Sequence, residues 1–136
     1  MADFLIPNNN IKRHTDLDEI IELSKIVLKS VNFLIVTRGP AGVVTIKNIS
    51  ESNTRQQLEV RIYNSKVISS IENASGAGDC FSSGFICGIL EGIKESQSIC
   101  LGFKTAEEAL LSKDTVPSKF NIPNSFDKAE YSVFIL

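Results

Sequence analysis

The sequence predicts an α/β fold, and three observations carry that expectation. A segment of helical period precedes a short, wholly apolar run; two strand-like runs flank a Gly-Pro turn; and a glycine-rich turn leads into two more helical segments. In chain order this reads helix, strand, hairpin, strands, glycine loop, helix, helix.

Each element has a local reason. "DLDEIIELSKIVLKS" (16–30) places Leu17, Ile20, Ile21, Leu23, Val27 and Leu28 at helical spacing, with Thr15 or Asp16 suited to the N-cap and acidic residues in the first turn. "NFLIVT" (32–37) is a continuous apolar run, as a buried strand would be. "RGPAG" (38–42) is turn chemistry and "VVTIK" (43–47) the next strand, so 33–46 reads as a hairpin. The polar stretch 48–57 reads as a loop. "LEVRIY" (58–63) alternates, with Leu58, Val60 and Ile62 on one face of a half-buried strand. "KVISSIE" (66–72) is a further strand candidate that runs into the glycine loop.

The helices follow. In "CFSSGFICGILEGI" (80–93), Phe81, Phe85, Ile89 and Ile93 form one stripe and Gly84, Gly88 and Gly92 another. Each helical glycine costs about 1 kcal/mol relative to alanine, so the repeat needs a reason. Close approach to a neighbouring helix supplies it. A second helix over about 97–112 carries Ile99, Leu101, Phe103, Ala106, Ala109 and Leu110. Two prolines then break 112–125, and the apolar tail "YSVFIL" takes no assignment.

Composition narrows the function classes. The 136 residues are one domain's worth of chain, 43% apolar. Fourteen basic and sixteen acidic side chains give a net charge of −2, which offers no footprint for nucleic acid or an anionic membrane. No apolar run approaches the ~20 residues of a membrane span, and the start of the chain lacks the basic and apolar regions of a signal peptide. Cys80, Cys87 and Cys100 show no Cys-x-x-Cys spacing, and on one helix Cys80 and Cys87 would stand roughly 10 Å apart, beyond disulfide reach. They read as reduced, buried thiols of a cytoplasmic protein. His14, the sole histidine, reads as a solvated loop residue, and no metal-ligand cluster is expected.

The chemistry concentrates in "ENASGAGDCFSSGF" (72–85). Glycines let a backbone turn sharply and bring N–H groups to an anion, and the first turn of the next helix adds unpaired donors and partial positive charge. Asp79 falls in that first turn. A carboxylate beside an anion hole is suited to draw a proton from a hydroxyl while the hole steadies a transferring phosphoryl group. Equally, the glycines could make a tight strand-to-helix turn with Asp79 as a mere cap. The P-loop pattern fails because no lysine follows, and the dinucleotide pattern fails at Phe81. These four residues leave both readings open.

Wider context resembles one family. "NASGAGDCFSSGF" is similar to the D-T-x-G-A-G-D-x-F-x-x-G signature of ribokinase-like (PfkB-type) carbohydrate and nucleoside kinases, matching at Gly76, Ala77, Gly78, Asp79, Phe81 and Gly84. Upstream, "FLIVTRGPAGVV" (33–44) looks like that family's "VTLGxxGV" strand and turn. Downstream, "GFKTAEEALLSKDTVPS" (102–118) resembles the alanine-rich helix and proline-ended loop that close its nucleotide pocket. The resemblance implies a central sheet flanked by helices, with ATP and Mg2+ as cofactors and a sugar or nucleoside as acceptor. It implies Asp79 as catalytic base and Gly76, Ala77 and Gly78 as the anion hole. It places Thr37, Arg38, Gly39, Pro40, Ala41 and Gly42, with Gly78, along the ATP site. "SKDTVPS" and Asn73 look most like the pseudouridine kinase branch.

Two departures shape the expectation. Asn73 and Ala74 replace the acidic residue and threonine that help hold a monovalent cation in many members, so weak or absent potassium dependence is expected. The family's acceptor-binding N-terminal half has no counterpart, so residues 1–136 read as the nucleotide-binding C-terminal half of a kinase domain, with exposed apolar surface that invites association. Two other readings stand beside the kinase. One is a non-catalytic nucleotide-binding or regulatory module, which would bind ATP without transferring phosphate. The other is an unrelated α/β interaction domain with a coincidental glycine turn.

Overall fold

The computed structural model describes residues 13–51, 55–66, 74–113, 117 and 126–136. It divides into two compact units, one of residues 1–64 with 131–136 and one of residues 65–130.

The first unit is a helix on a sheet. Helix α1 (Arg13–Val27) is followed by β1 (Phe33–Thr37), β2 (Val43–Asn48) and β3 (Leu58–Tyr63), and β4 (Tyr131–Ile135) completes the sheet. All pairings are antiparallel, in the order β1-β2-β3-β4, so β1 and β4 are its outer strands among the described residues. The expected hairpin is present, with Thr37 opposite Val43 and Phe33 opposite Lys47. Ile20 and Leu28 from the α1 side pack with Leu34, Val36, Val44, Ile46, Leu58 and Val60 in one buried cluster, edged by Ile62 and Phe134. Burying each such side chain contributes about 1.5–3 kcal/mol, which is what holds helix to sheet.

Three details depart from the sequence reading. Helix α1 already includes His14, expected in a loop, because Arg13, His14 and Thr15 contain nothing that breaks a helix. It stops at Val27, and turns carry the chain through Leu28–Ser30. Strand β3 buries residues on both faces: Tyr63 is fully buried opposite the Leu58/Val60 face, its ring 5.1 Å from that of Tyr131. The unassigned tail is strand β4, paired with β3 from Tyr131 to Ile135. The strand expected over 66–72 lies almost wholly outside the described residues.

The second unit is a close helix pair, α2 (Ala77–Leu90) and α3 (Glu95–Leu111). A Cβ on Gly84 would lie 2.9 Å from the Leu101 carbonyl oxygen, one on Gly88 2.9 Å from the Ser98 Cα, and one on Gly102 2.7 Å from the Phe81 ring. Close approach therefore explains Gly84 and Gly88. Gly92 has a different reason. Nothing stands within 4 Å of its would-be Cβ, and its φ of +74° lets it end α2, where Gly92 N–H bonds Ile89 O at 3.0 Å and Ile93 N–H bonds Gly88 O at 3.2 Å. Phe81 meets Phe85 and Phe103 at ring separations of 6.4 and 5.6 Å. Residues 126–130 lie along α3, where Ala129 N–H bonds Ser96 O at 2.9 Å and Gln97 Nε2 donates to Phe126 O at 3.1 Å.

Candidate active site

The glycine segment folds as a helix entry. Gly76 is the N-cap of α2 at φ +80°, a left-handed conformation that glycine adopts without a Cβ penalty. Ala77, Gly78 and Asp79 are the first three helical residues, and the first intrahelical bond runs from Cys80 N–H to Gly76 O at 2.9 Å. No side chain caps this end, so the N–H groups of Ala77, Gly78 and Asp79 have no partner among the described residues. Among the described residues, these three unpartnered donors stand together at the positive end of a 14-residue helix. Gly78 and Asp79 are exposed there, and the Asp79 carboxylate is the first-turn acid.

The carbonyl side of the same turn is occupied. The Ser82 hydroxyl donates to Gly78 O and the Ser83 hydroxyl to Asp79 O, each at 2.9 Å. From α3, the Thr105 hydroxyl lies 2.7 Å from Cys80 O and donates across the helix crossing. These three hydroxyls tie down the turn that carries Asp79, and sequence reasoning missed them. The serines had a signal, since each lies four residues after the carbonyl it bonds. Thr105 had none, because its contact is tertiary. Beside Asp79, burial pushes the Cys80 thiol pKa up, and the carboxylate's negative charge pushes it further. Cys80 stays a neutral thiol at physiological pH.

The second set of expected residues lies in the first unit. Thr37 ends β1, and Gly39–Ala41 form a single 3-10 turn between β1 and β2. Arg38 N–H bonds Gly42 O at 2.8 Å, Ala41 N–H bonds Arg38 O at 3.1 Å and Gly42 N–H bonds Gly39 O at 3.0 Å. Gly39 and Gly42 take φ of +53° and +92°, so the turn depends on glycine at both ends, while Pro40 fixes its middle. The structure thus gathers Thr37–Gly42 in one hairpin turn and Gly76–Asp79 in one helix entry. A cavity of about 610 Å³ lined by Ile49, Glu51, Arg55, Gln56 and Leu136 lies at the other end of β2 from this turn, and holds none of these residues.

The sequence matches the pfkB family carbohydrate kinase profile over residues 1–120. The chain belongs to the pfkB carbohydrate kinase family. Its glycine helix entry and hairpin turn are therefore elements of a pfkB-type fold. Solved structures agree on the architecture. A candidate sugar kinase from Rhizobium etli CFN 42 superposes with a TM-score of 0.61 at 22% identity, covering 76% of this chain and 28% of its own. A candidate sugar kinase from Clostridium perfringens gives 0.57 at 14%, covering 85% and 32%. A candidate phosphofructokinase from Staphylococcus aureus gives 0.58 at 17%, covering 93% and 37%. The pfkB chain described here spans about a third of the length of these structures. No curated protein matches the sequence.

Among the described residues, no three His, Cys, Asp or Glu side chains cluster to hold a metal, and no helix is long and apolar enough to cross a membrane. The donor set at the helix entry fits an anion such as a nucleotide phosphate: backbone N–H groups on one side and a carboxylate within the same turn.

Proposed function

We propose that this chain is the nucleotide-side, C-terminal portion of an ATP-dependent kinase that phosphorylates a hydroxyl of a sugar or nucleoside. The observation that carries the reading is the α2 entry. Gly76 in a left-handed conformation opens α2 on three backbone donors without a partner among the described residues, and Asp79 stands exposed beside them. The N–H groups of Ala77, Gly78 and Asp79 bind the terminal phosphate and stabilise the charge that builds on it. Asp79 accepts the proton of the acceptor hydroxyl as that oxygen attacks. Mg2+ bound with the nucleotide would neutralise phosphate charge. The turn Thr37–Gly42 is the second stretch assigned to the nucleotide, on its resemblance to the family's strand and turn. Potassium dependence is weak, since Asn73 and Ala74 offer neither the acidic group nor the hydroxyl of a cation site. Pseudouridine is the leading acceptor, on the likeness of "SKDTVPS" and Asn73 to that branch. Free thiols at Cys80, Cys87 and Cys100 suit a cytoplasmic setting.

The test is transfer of radiolabelled phosphate from ATP to pseudouridine, ribose, adenosine and fructose. This chain alone should bind ATP or ADP weakly and phosphorylate none of them, because it lacks the elements that would hold an acceptor in line. In a kinase domain that includes those elements, Asp79→Asn should leave nucleotide affinity nearly intact and cut kcat by orders of magnitude. Retention of most of kcat would remove Asp79 from the role of base. A longer domain that binds ATP and phosphorylates no acceptor would favour a regulatory module instead.

A further inference from the structure

The start of α2 has little of its own to hold it in place. Gly76 and Ala77 are half-buried, Gly78 and Asp79 are exposed, and the first buried residue of the helix is Cys80. Glycine at both 76 and 78 adds to the backbone entropy that ordering this turn must overcome. The Ser82 and Ser83 hydroxyls bond Gly78 O and Asp79 O, but both lie on α2 itself and cannot set where the turn stands. Among the described residues, one hydrogen bond reaches residues 76–80 from another element: Thr105 of α3 donates to Cys80 O at 2.7 Å.

Two features set this bond apart. A threonine inside a helix commonly turns its hydroxyl back onto its own helix, and Leu101 O and Gly102 O lie 3.2 and 3.0 Å from Thr105 Oγ1. The hydroxyl has one proton to give, and the acceptor on α2 is the nearest of the three. The room for it comes from Gly84, since a Cβ there would run into Thr105 Oγ1. Cys80 N–H in turn closes the first turn onto Gly76 O at 2.9 Å, so the bonded residue is the one that reaches back to the N-cap.

We infer that Thr105 is a positioning residue for phosphate binding. By holding Cys80 O against α3, it fixes the direction in which the N–H groups of Ala77, Gly78 and Asp79 and the Asp79 carboxylate are presented. The assignment rests on the α2 entry being the phosphate site proposed for this chain. Thr105 itself touches no ligand and acts through Cys80. Donors held in place beforehand bind an anion without an ordering cost at the moment of binding. Without the hydroxyl, the turn rocks about its glycines and the three donors must be gathered anew for each phosphate.

Calorimetry and backbone amide NMR of the 136-residue chain with Mg-ADP test this. Thr105→Val, close in shape but without the hydroxyl, should move the amides of residues 77–81 in the free chain. It should also weaken Mg-ADP binding by about three- to tenfold, with an unchanged far-ultraviolet circular dichroism spectrum. Thr105→Ser keeps the hydroxyl and should return both the free-chain shifts and the affinity close to wild type. Ile99→Val trims a fully buried side chain on α3, off the stripe of Ser98, Gly102 and Thr105 that meets α2. It should lower stability and leave the affinity of the folded chain as in wild type. If Thr105→Val loses its folded spectrum because its methyl meets the carbonyl, Thr105→Ala decides in its place, with the same weakening expected. Wild-type affinity in the folded valine or alanine variant overturns the inference and leaves the phosphate site standing. Weakening as deep in Thr105→Ser or in Ile99→Val also overturns it, because the effect would then follow packing and not the hydroxyl. A wild-type chain whose residues 76–79 ignore Mg-ADP removes the phosphate site itself, and the role of Thr105 with it.

Discussion

The sheet unit and the helix pair are stabilised by opposite means. In the sheet, large apolar side chains fill the space between α1 and the strands, and Val44, Ile46 and Val60 are wholly buried. In the helix pair the contact is made by what is missing: Gly84, Gly88 and Gly102 bring backbones together, and side chains of α3 such as Ser98 and Thr105 lie where a Cβ on α2 would go. The first unit fails when something is removed, the second when something is added. The turn that carries Asp79 is tied into that crossing by the Thr105 hydroxyl, which donates to Cys80 O at 2.7 Å.

Substitutions of opposite sense expose the difference. Ile46→Ala should cost about 2–5 kcal/mol, because the deleted atoms leave a cavity between sheet and helix. Gly84→Ala ought to stabilise by about 1 kcal/mol on helix propensity alone. Instead it should destabilise by about 1–3 kcal/mol, since the Leu101 carbonyl 2.9 Å away is backbone and the helices must part. Urea denaturation of each variant measures both. A stabilising Gly84→Ala would mean that the crossing is looser than described.

A smaller effect separates the units by pH. Burial raises the thiol pKa values of Cys80 and Cys100; at Cys100, Lys104 and Lys66 pull it back and Asp127 adds to the rise. Both thiols lie in the second unit. A raised folded-state value means that the unfolded chain ionises first. Stability should therefore hold up to the ordinary thiol range near about pH 8.5 and fall as pH climbs from there towards the folded-state values. Hydrogen exchange protection of α2 and α3 should decline over that window before that of β1–β3. Equal decline in both units would contradict the assignment.

How much of this was legible depends on how local each feature is. Strand β3 can be read to its boundaries, because "LEVRIY" alternates and polar residues flank it. The glycine entry and the hairpin turn are legible for the same reason, each being set within a few residues by glycine conformation. Strand β4 is not, since a short apolar tail becomes a strand only beside β3, far away in sequence. The burial of Tyr63 was hidden with it, as its ring packs on Tyr131. Periodicity also could not divide the glycine stripe. Gly84 and Gly88 serve the crossing, Gly92 serves the helix end, and only the neighbouring helix tells them apart.

The central claim is that the start of α2 binds phosphate and does more than turn the chain. Backbone amide NMR of the chain during titration with Mg-ADP and Mg-ATP tests it most directly. The amides of Gly76, Ala77, Gly78 and Asp79 should show the largest shifts, larger with ATP, while those of the Gly92 turn, also glycine-ended at positive φ, stay in place. If nucleotide leaves residues 76–79 unmoved, or moves both turns alike, the glycines of α2 make a tight turn and nothing more.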